Sequence, residues 1–339
     1  MTSQENKAIA FTAVGKAEVV DRPYGHPGEN QALVRMEYTA VSAGTERANL
    51  MDLPNVPHNW PKFLGYCGVG RVEEIGAAVK NFAVGDRVLV YHGIHVYYNL
   101  VNADKLTKVE DDAIDSKDAA FVIVASMGLG GVRKLELELG ESAMVMGLGI
   151  LGIFATAELA LSGANPLIAV DFDEKRRKIA LEVGADYALD PGAPDFVETV
   201  MKITGGTGVN ATVEVTGSSA AMKQALECAS WMGRIALLGC TRVSDCAVDY
   251  YSDVHKPGVK LIGAHNFVRP KAESYPHHWT HHDDCRCLLS LIARDKLKVG
   301  PIRSQIRKPE EAPEIYRWLA EGKNADGEPF PLGMLIDWN

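Results

Sequence analysis

The hydrophobic pattern divides the chain into a strand-rich first part and a second part in which strands and helices alternate. In the first 120 residues, short runs of alternating apolar and polar positions predict strands at 7–11, 17–20, 31–38, 68–75 and 86–90. Glycine- and proline-rich turns separate these runs, as in the segment 23–28. Many short strands punctuated in this way favour a partly closed β-barrel.

Beyond residue 120, short apolar runs alternate with longer helical patterns. The runs lie at 142–146, 167–170, 211–215, 234–238 and 259–262, and we expect helices at 173–183, 195–203 and 219–229. This alternation predicts βαβ units around a parallel sheet, because parallel strands need crossover helices and are buried on both faces. Two further helices, near 280–294 and 309–321, and a strand at 335–338 should complete the chain.

Composition and charge narrow the classes of function. The chain has 339 residues, about two domains, and its 47% hydrophobic and 23% charged residues are typical of a globular protein. A net charge of −9 argues against non-specific binding to nucleic acid or to anionic membranes. The longest apolar stretch, 143–157, is too short for a membrane span. Six scattered cysteines and an opening without a signal-peptide pattern predict a reduced, cytoplasmic protein.

The sharpest local signal is a glycine-rich turn after the apolar run 142–146. Gly147, Gly149 and Gly152 have the spacing of a dinucleotide-binding fingerprint, where they allow a tight turn, approach of a pyrophosphate, and close helix–strand packing. The next strand ends in Asp171, whose carboxylate can accept hydrogen bonds from the adenosine ribose and would repel a 2′-phosphate. The sequence therefore predicts NAD as the cofactor.

Taken in order, these motifs resemble the medium-chain dehydrogenase/reductase superfamily, specifically its zinc-dependent alcohol, sorbitol and threonine dehydrogenase branch. Besides the fingerprint, four stretches carry the resemblance: residues 31–46, 64–88, 214–217 and 233–239. The resemblance implies an α/β protein with a Rossmann doubly wound parallel-sheet domain at 122–265. It also implies a GroES-like catalytic domain split between 1–121 and 266–339, and a homodimer or homotetramer. The cofactor-binding residues expected from the fingerprint and the resemblance are Gly147, Gly149, Ile150, Leu151, Gly152, Asp171, Thr216, Gly217 and Gly239.

The chain departs from this branch at the positions of the catalytic zinc ligands. The family's Cys, His and upstream carboxylate or Cys fall on Ala43, Tyr66 and Ile123, and the Glu of its "GHE" motif falls on Cys67. Alanine and isoleucine cannot bind zinc, and the two remaining side chains are short of the three ligands that a catalytic site needs. The family's four-cysteine structural zinc lobe is missing as well. We therefore expect no metal.

The His- and Cys-rich segment 277–287 is the alternative place for a metal. His281 and Cys285 have the i, i+4 spacing of one helix face, and His277 precedes them. The segment is more typical of a helix start with Thr280 as its cap and Cys285 turned inward.

Without zinc, the protein itself must manage the hydroxyl proton that accompanies hydride transfer. Thr45 matches the family hydroxyl that relays this proton, and Tyr66 stands where the histidine ligand would be. His92 and His95 follow the strand beside them. We expect a histidine to act as base, since its pKa near 6.5 suits neutral pH, and Tyr66 to donate a hydrogen bond to the substrate oxygen. The expected substrate contacts are Glu46, His265 and Asn266.

Three functions fit these observations. The first is a zinc-independent, NAD-dependent dehydrogenase that acts on a secondary alcohol or ketone of a sugar or polyol. The second is a zinc-free reductase of activated C=C bonds, similar to quinone and enoyl reductases; these commonly prefer NADPH, so Asp171 argues against it. The third is a non-enzymatic NAD-binding protein.

Overall fold

The computed structural model describes residues 6–339, which form two compact units. Unit 1 contains 6–124 together with 289–293 and 303–339, and unit 2 contains 125–288 and 294–302. Residues 266–288, which we expected in the catalytic domain, lie in unit 2.

The strands and helices follow one another as the hydrophobic pattern predicts, with additions described below. The strands are β1 (Lys7–Ala13), β2 (Lys16–Asp21), β3 (Gln31–Ala40), β4 (Cys67–Ile75), β5 (Arg87–Tyr91), β6 (Tyr98–Asn102), β7 (Leu106–Lys108), β8 (Ala143–Met146), β9 (Leu167–Val170), β10 (Tyr187–Leu189), β11 (Val209–Glu214), β12 (Ala229–Leu237), β13 (Lys260–Gly263), β14 (Arg303–Arg307) and β15 (Gly333–Asp337). The α-helices are α1 (Ala43–Leu50), α2 (Ser116–Ala119), α3 (Val122–Lys134), α4 (Ile150–Leu161), α5 (Glu174–Glu182), α6 (Phe196–Ile203), α7 (Ser219–Glu227), α8 (His281–Ala293) and α9 (Ala312–Glu321).

Unit 1 is built on a seven-stranded sheet. Its strand order is β14-β15-β3-β4-β5-β7, with β6 paired to β3, and β1 and β2 form a separate antiparallel pair. All its neighbouring strands are antiparallel except β14 and β15. The two ends of the chain share one core, in which Phe11 and Met36 pack with Tyr316 and Trp338. The predicted strand-rich architecture of the first 120 residues is confirmed.

Unit 2 contains a six-stranded parallel sheet with the order β10-β9-β8-β11-β12-β13. Counted from β8, this is the doubly wound order 3-2-1-4-5-6, so the strand order reverses between β8 and β11. Every residue of β8 and β9 is buried, which explains why both strands are continuous apolar runs. The predicted parallel sheet is confirmed.

The hydrophobic pattern did not predict helices α1, α2 and α3 or strands β6, β7, β10 and β14. Helix α1 is short, and its buried residues include Glu46 and Asn49, so it lacks a regular apolar stripe. Helix α3 is apolar and glycine-rich around most of its circumference, so no polar face marks its period. Among residues 6–339, no helix combines the length and the apolar character needed to cross a bilayer.

Candidate functional site

The fingerprint glycines occupy a tight turn between β8 and α4. Gly147 has φ +95°, in the left-handed region that favours glycine. A Cβ on Gly152 would lie 1.8 Å from the carbonyl oxygen of Gly147, so only glycine allows this packing. A Cβ on Gly149 would meet no atom within 4 Å, which leaves the approach to the start of α4 open. Ile150 and Leu151 begin the helix, and the N–H groups of such a start can face a pyrophosphate.

Asp171 follows β9 and is anchored to the fingerprint turn. Its Oδ2 accepts a hydrogen bond from the backbone N–H of Leu148 at 2.7 Å, and its Oδ1 accepts one from the N–H of Asp173 at 2.8 Å. The Arg176 guanidinium lies 4.0 Å from Oδ2. The carboxylate therefore stands beside the turn at the carboxyl edge of the sheet, where a doubly wound fold binds the adenosine ribose of a dinucleotide.

A second turn lies at the same edge, on the other side of the strand-order reversal. The Glu214 carboxylate at the end of β11 accepts hydrogen bonds from the backbone N–H groups of Thr216 and Gly217. A Cβ on Gly239 would lie 2.4 Å from the Gly217 nitrogen, so the turns after β11 and β12 are in close contact. The structure thus brings Thr216, Gly217 and Gly239 together.

His265 and Asn266 follow β13 at this edge as well. His265 is exposed, and its Nδ1 accepts a hydrogen bond from the backbone N–H of Phe267 at 3.2 Å. Asn266 is half-buried. The predicted cofactor residues and these two expected substrate residues therefore all lie at the carboxyl edge of the sheet in unit 2.

In unit 1, Tyr66 faces two hydroxyl groups at the start of α1. Its hydroxyl lies 2.5 Å from Ser42 Oγ, and the Thr45 side chain also hydrogen-bonds with it. Burial raises the pKa of the Tyr66 hydroxyl above its usual value near 10. Tyr66 is therefore protonated at neutral pH and can donate a hydrogen bond. Thr45 and Tyr66 are brought together as the sequence predicts, whereas Ser42 was missed.

Glu46 does not face a substrate, contrary to the sequence-based expectation. The side chain is fully buried, and its Oε1 accepts a hydrogen bond from the Ser42 backbone N–H at 2.8 Å. Its Oε2 accepts one from the Tyr316 hydroxyl at 2.6 Å and lies 3.2 Å from His95 Nε2. Both oxygens are thus engaged inside the protein, and the carboxylate holds the start of α1 in place.

The two histidines lie beside the Tyr66 segment but differ in surroundings. His95 is 1% exposed, and its Nδ1 hydrogen-bonds with Thr39 Oγ1 at 2.7 Å, so both ring nitrogens are engaged. His92 is exposed, and its ring packs on Tyr91 with centroids 3.9 Å apart. Tyr91 pairs with Cys67, and His92 is the next residue, in the turn that follows β5. Desolvation and the Lys105 charge lower the pKa of His92 below 6.5.

The donor set at the expected zinc positions does not fit a catalytic zinc ion. Ala43 is the first residue of α1, Ile123 is a fully buried aliphatic side chain, and Cys67 is buried at the start of β4. Only a tyrosine and a cysteine remain, and a catalytic site needs three protein ligands. Among residues 6–339, no group of three or more His, Cys, Asp or Glu side chains is arranged to hold a metal ion.

The segment 277–287 forms the capped helix start that the sequence favours. Thr280 directly precedes α8, and Asp283 lies in the first turn of this helix. Thr280 Oγ1 accepts a hydrogen bond from the Asp283 backbone N–H at 3.2 Å. Cys285 is fully buried, with its Sγ 3.4 Å from His281 Nε2. Nδ1 of the same histidine hydrogen-bonds with Ser126 Oγ at 3.1 Å.

Two family models match the chain, one in each half. Residues 28–135 match the alcohol dehydrogenase GroES-like domain, and residues 151–278 match the zinc-binding dehydrogenase domain. Together they cover more than two thirds of the chain.

The relatives and solved structures that resemble the chain are dehydrogenases. L-threonine 3-dehydrogenase from Pyrococcus horikoshii is 29% identical over 95% of this chain and 98% of that protein. D-guloside 3-dehydrogenase from Escherichia coli is 29% identical over 63% of this chain and 61% of that protein. A crystal structure from Sinorhizobium meliloti, described as a zinc-binding dehydrogenase bound to NADP, superposes with a TM-score of 0.83. It has 23% identity and covers 98% of this chain and 99% of that one.

Proposed function

Because the chain belongs to the medium-chain, zinc-type alcohol dehydrogenase family, we propose that it is an NAD-dependent oxidoreductase that works without a catalytic zinc ion. The proposed reaction moves a hydride between the nicotinamide and a secondary alcohol or ketone of a sugar or polyol. The observation that carries the proposal is Asp171, whose carboxylate is anchored at the dinucleotide turn. In unit 1, Ala43 and Tyr66 stand where the resemblance places zinc ligands, and the Tyr66 hydroxyl lies beside that of Ser42.

The side chains of unit 1 would take over the management of the substrate proton. When bound, the nicotinamide supplies the hydride acceptor or donor. We infer that the Tyr66 hydroxyl binds the substrate oxygen and that Thr45 and Ser42 orient this hydroxyl. The base would be His92 or His95. The exposed ring of His92 favours the former, since both ring nitrogens of His95 are engaged.

A substrate screen tests the reaction class. With NAD, we expect turnover on polyols, sugars or sugar glycosides, a range that the D-guloside 3-dehydrogenase relative supports. The alternatives give different results: reduction of enones or quinones without alcohol oxidation would favour a C=C reductase. Cofactor binding without turnover on any of these compounds would favour a non-enzymatic NAD-binding protein.

The cofactor preference is expected to depend on the charge of Asp171. NAD should bind about 10- to 100-fold more tightly than NADP, because loss of a charge-assisted hydrogen bond costs about 1.5–3 kcal/mol and a 2′-phosphate is repelled. Asp171→Asn keeps an acceptor oxygen for Leu148 and should narrow the gap, whereas Asp326→Asn at an exposed loop should not. Dissociation constants measured by calorimetry decide this, and equal constants for both cofactors in the parent protein would refute it.

Zinc content is the test of the zinc-independent part of the proposal. Elemental analysis of protein purified without added metal is expected to find far less than one zinc per chain, because Ala43 and Ile123 provide no ligand atoms. About one zinc per chain, removed by a chelator together with activity, would contradict the proposal. Such a result would point to the segment 277–287.

We also propose an oligomeric state and a cellular location for the chain. We infer a homodimer or homotetramer in the cytoplasm. Exposed apolar side chains beside the sheet edge at β13 support self-association, since large exposed apolar patches commonly mark interfaces. These side chains are Trp231, Met232 and Leu261.

A further inference from the structure

A pocket in unit 2 collects more positive than negative charge. Arg133 and Lys134 at the end of α3 line it together with Arg269, Trp279 and Asp284. Its free volume, open mouth included, is about 280 Å³. We call it the Arg133–Lys134 pocket.

The two guanidinium groups share one buried carboxylate. Arg133 Nε donates to Asp284 Oδ1 at 2.7 Å, and Arg269 Nη1 donates to Oδ2 of the same residue at 3.3 Å. Arg269 Nη2 also donates to the carbonyl oxygen of Ser126 at 2.9 Å. The two guanidinium groups together carry about ten N–H donors, more than the roughly six that this carboxylate and one carbonyl oxygen can accept.

Packing and a hydrogen bond hold the cationic groups of Arg133, Arg269 and Lys134 in place. The Arg133 guanidinium stacks on the Trp279 ring at 3.8 Å, and a Cβ on Gly130 would lie 2.4 Å from Arg269 Nη2. Lys134 Nζ donates to the Val268 carbonyl oxygen at 2.6 Å, which orders the ammonium without neutralising it. The cations therefore have defined positions, as a binding site for an anion requires.

A second carboxyl group, that of Glu158, lies close to these charges. Glu158 is buried near the same cluster, but burial raises its pKa well above the usual range. Burial and the neighbouring Arg269 lower the pKa of Lys134, the direction expected in a site crowded with positive charge. Three cations thus lie with the Asp284 carboxylate and the Glu158 carboxyl group in a partly desolvated place, and an anion would stabilise the positive charge that these two groups leave unbalanced.

We propose that the Arg133–Lys134 pocket binds a small oxyanion, a phosphate or carboxylate group of a ligand. Arginine forks and a lysine ammonium are the groups that proteins use to hold such oxygens. His265, an expected substrate contact, borders the same pocket. The proposal does not rest on the dehydrogenase function, because anion binding can be measured without cofactor or turnover.

The test is calorimetric titration of the full chain with inorganic phosphate and, separately, with D-gluconate, at low ionic strength. We expect one saturable site, at which the two anions compete. Lys134→Gln should raise the dissociation constant at least about 10-fold, as for loss of one charge-assisted hydrogen bond. Lys134→Arg should restore binding, and Lys175→Gln on the exposed face of α5 should leave it unchanged. Tighter binding of phosphate would identify a phosphorylated ligand, and tighter binding of gluconate a sugar acid.

Two results would overturn the proposal. One is the absence of saturable binding of either anion by the folded parent chain. The other is phosphate binding that Lys134→Gln leaves unchanged, since phosphate held at the fingerprint turn would not respond to residue 134. Thermal unfolding of each variant checks that it is folded, and Lys134→Arg keeps the test decisive if Lys134→Gln is unstable.

Discussion

Alanine at Gly152 is expected to abolish NAD binding and to lower the stability of unit 2, whereas alanine at Gly149 should weaken NAD binding alone. The two glycines lie three residues apart in the same turn but have different surroundings. A Cβ on Gly152 would overlap the Gly147 carbonyl oxygen at 1.8 Å, so β8 and α4 would have to separate. A Cβ on Gly149 would enter open space, and the φ of −65° at this residue suits any amino acid.

The pair separates the structural role of a glycine from its role in binding. Thermal unfolding of Gly149→Ala should match the parent, while the dissociation constant of NAD rises at least about 10-fold, since the pyrophosphate needs a close backbone approach. For Gly152→Ala we expect a lower melting temperature, by several degrees or more for an overlap of this size. Gly300→Ala, in unit 2 and also without an atom within 4 Å, serves as control. Unchanged NAD affinity in Gly149→Ala would place the cofactor elsewhere.

Most of the fold follows from local pattern. The parallel sheet was predictable because β8 and β9 are buried on both faces and so contain no polar position. The fingerprint was predictable because two of its glycines are required locally, Gly147 by its positive φ and Gly152 by its contact with the Gly147 carbonyl oxygen. Helices α1 and α3 were not, because their burial is decided by distant segments rather than by their own periodicity.

In the candidate site too, some features could be predicted from the sequence and others could not. The proximity of Thr45 and Tyr66 was predictable from motif positions, and the structure adds Ser42 as a third hydroxyl. The hydrogen bond that buries Glu46 could not be predicted, because its partner Tyr316 is 270 residues further along the chain. Nothing in the local sequence of either residue indicates this hydrogen bond.

His92 and His95, the two candidates for the base, should respond differently to substitution, because only His95 belongs to the buried hydrogen-bond network of Glu46. His92→Ala should lower turnover about 10²–10⁴-fold, the usual contribution of a general base, with the dissociation constant of NAD unchanged. The fold should tolerate this change, since the His92 ring is exposed. His95→Ala should in addition lower the free energy of unfolding, because buried Glu46 and Thr39 each lose one hydrogen bond, at about 0.5–1.5 kcal/mol for each.

The pH profile of alcohol oxidation gives the second readout for His92. A base must be neutral to accept a proton, so the rate should rise with pH through the pKa of the base and then level off. Because desolvation and Lys105 lower the pKa of His92, the rise is expected below pH 6.5, and it should vanish in His92→Ala. Tyr66→Phe should reduce turnover without moving this pKa, since the raised pKa of Tyr66 keeps it a donor throughout the range. His26→Ala, at a side chain that is 83% exposed, is the matched control. If His92→Ala, His95→Ala and Tyr66→Phe all keep parental turnover on a verified substrate, the proton takes another route and these roles are wrong.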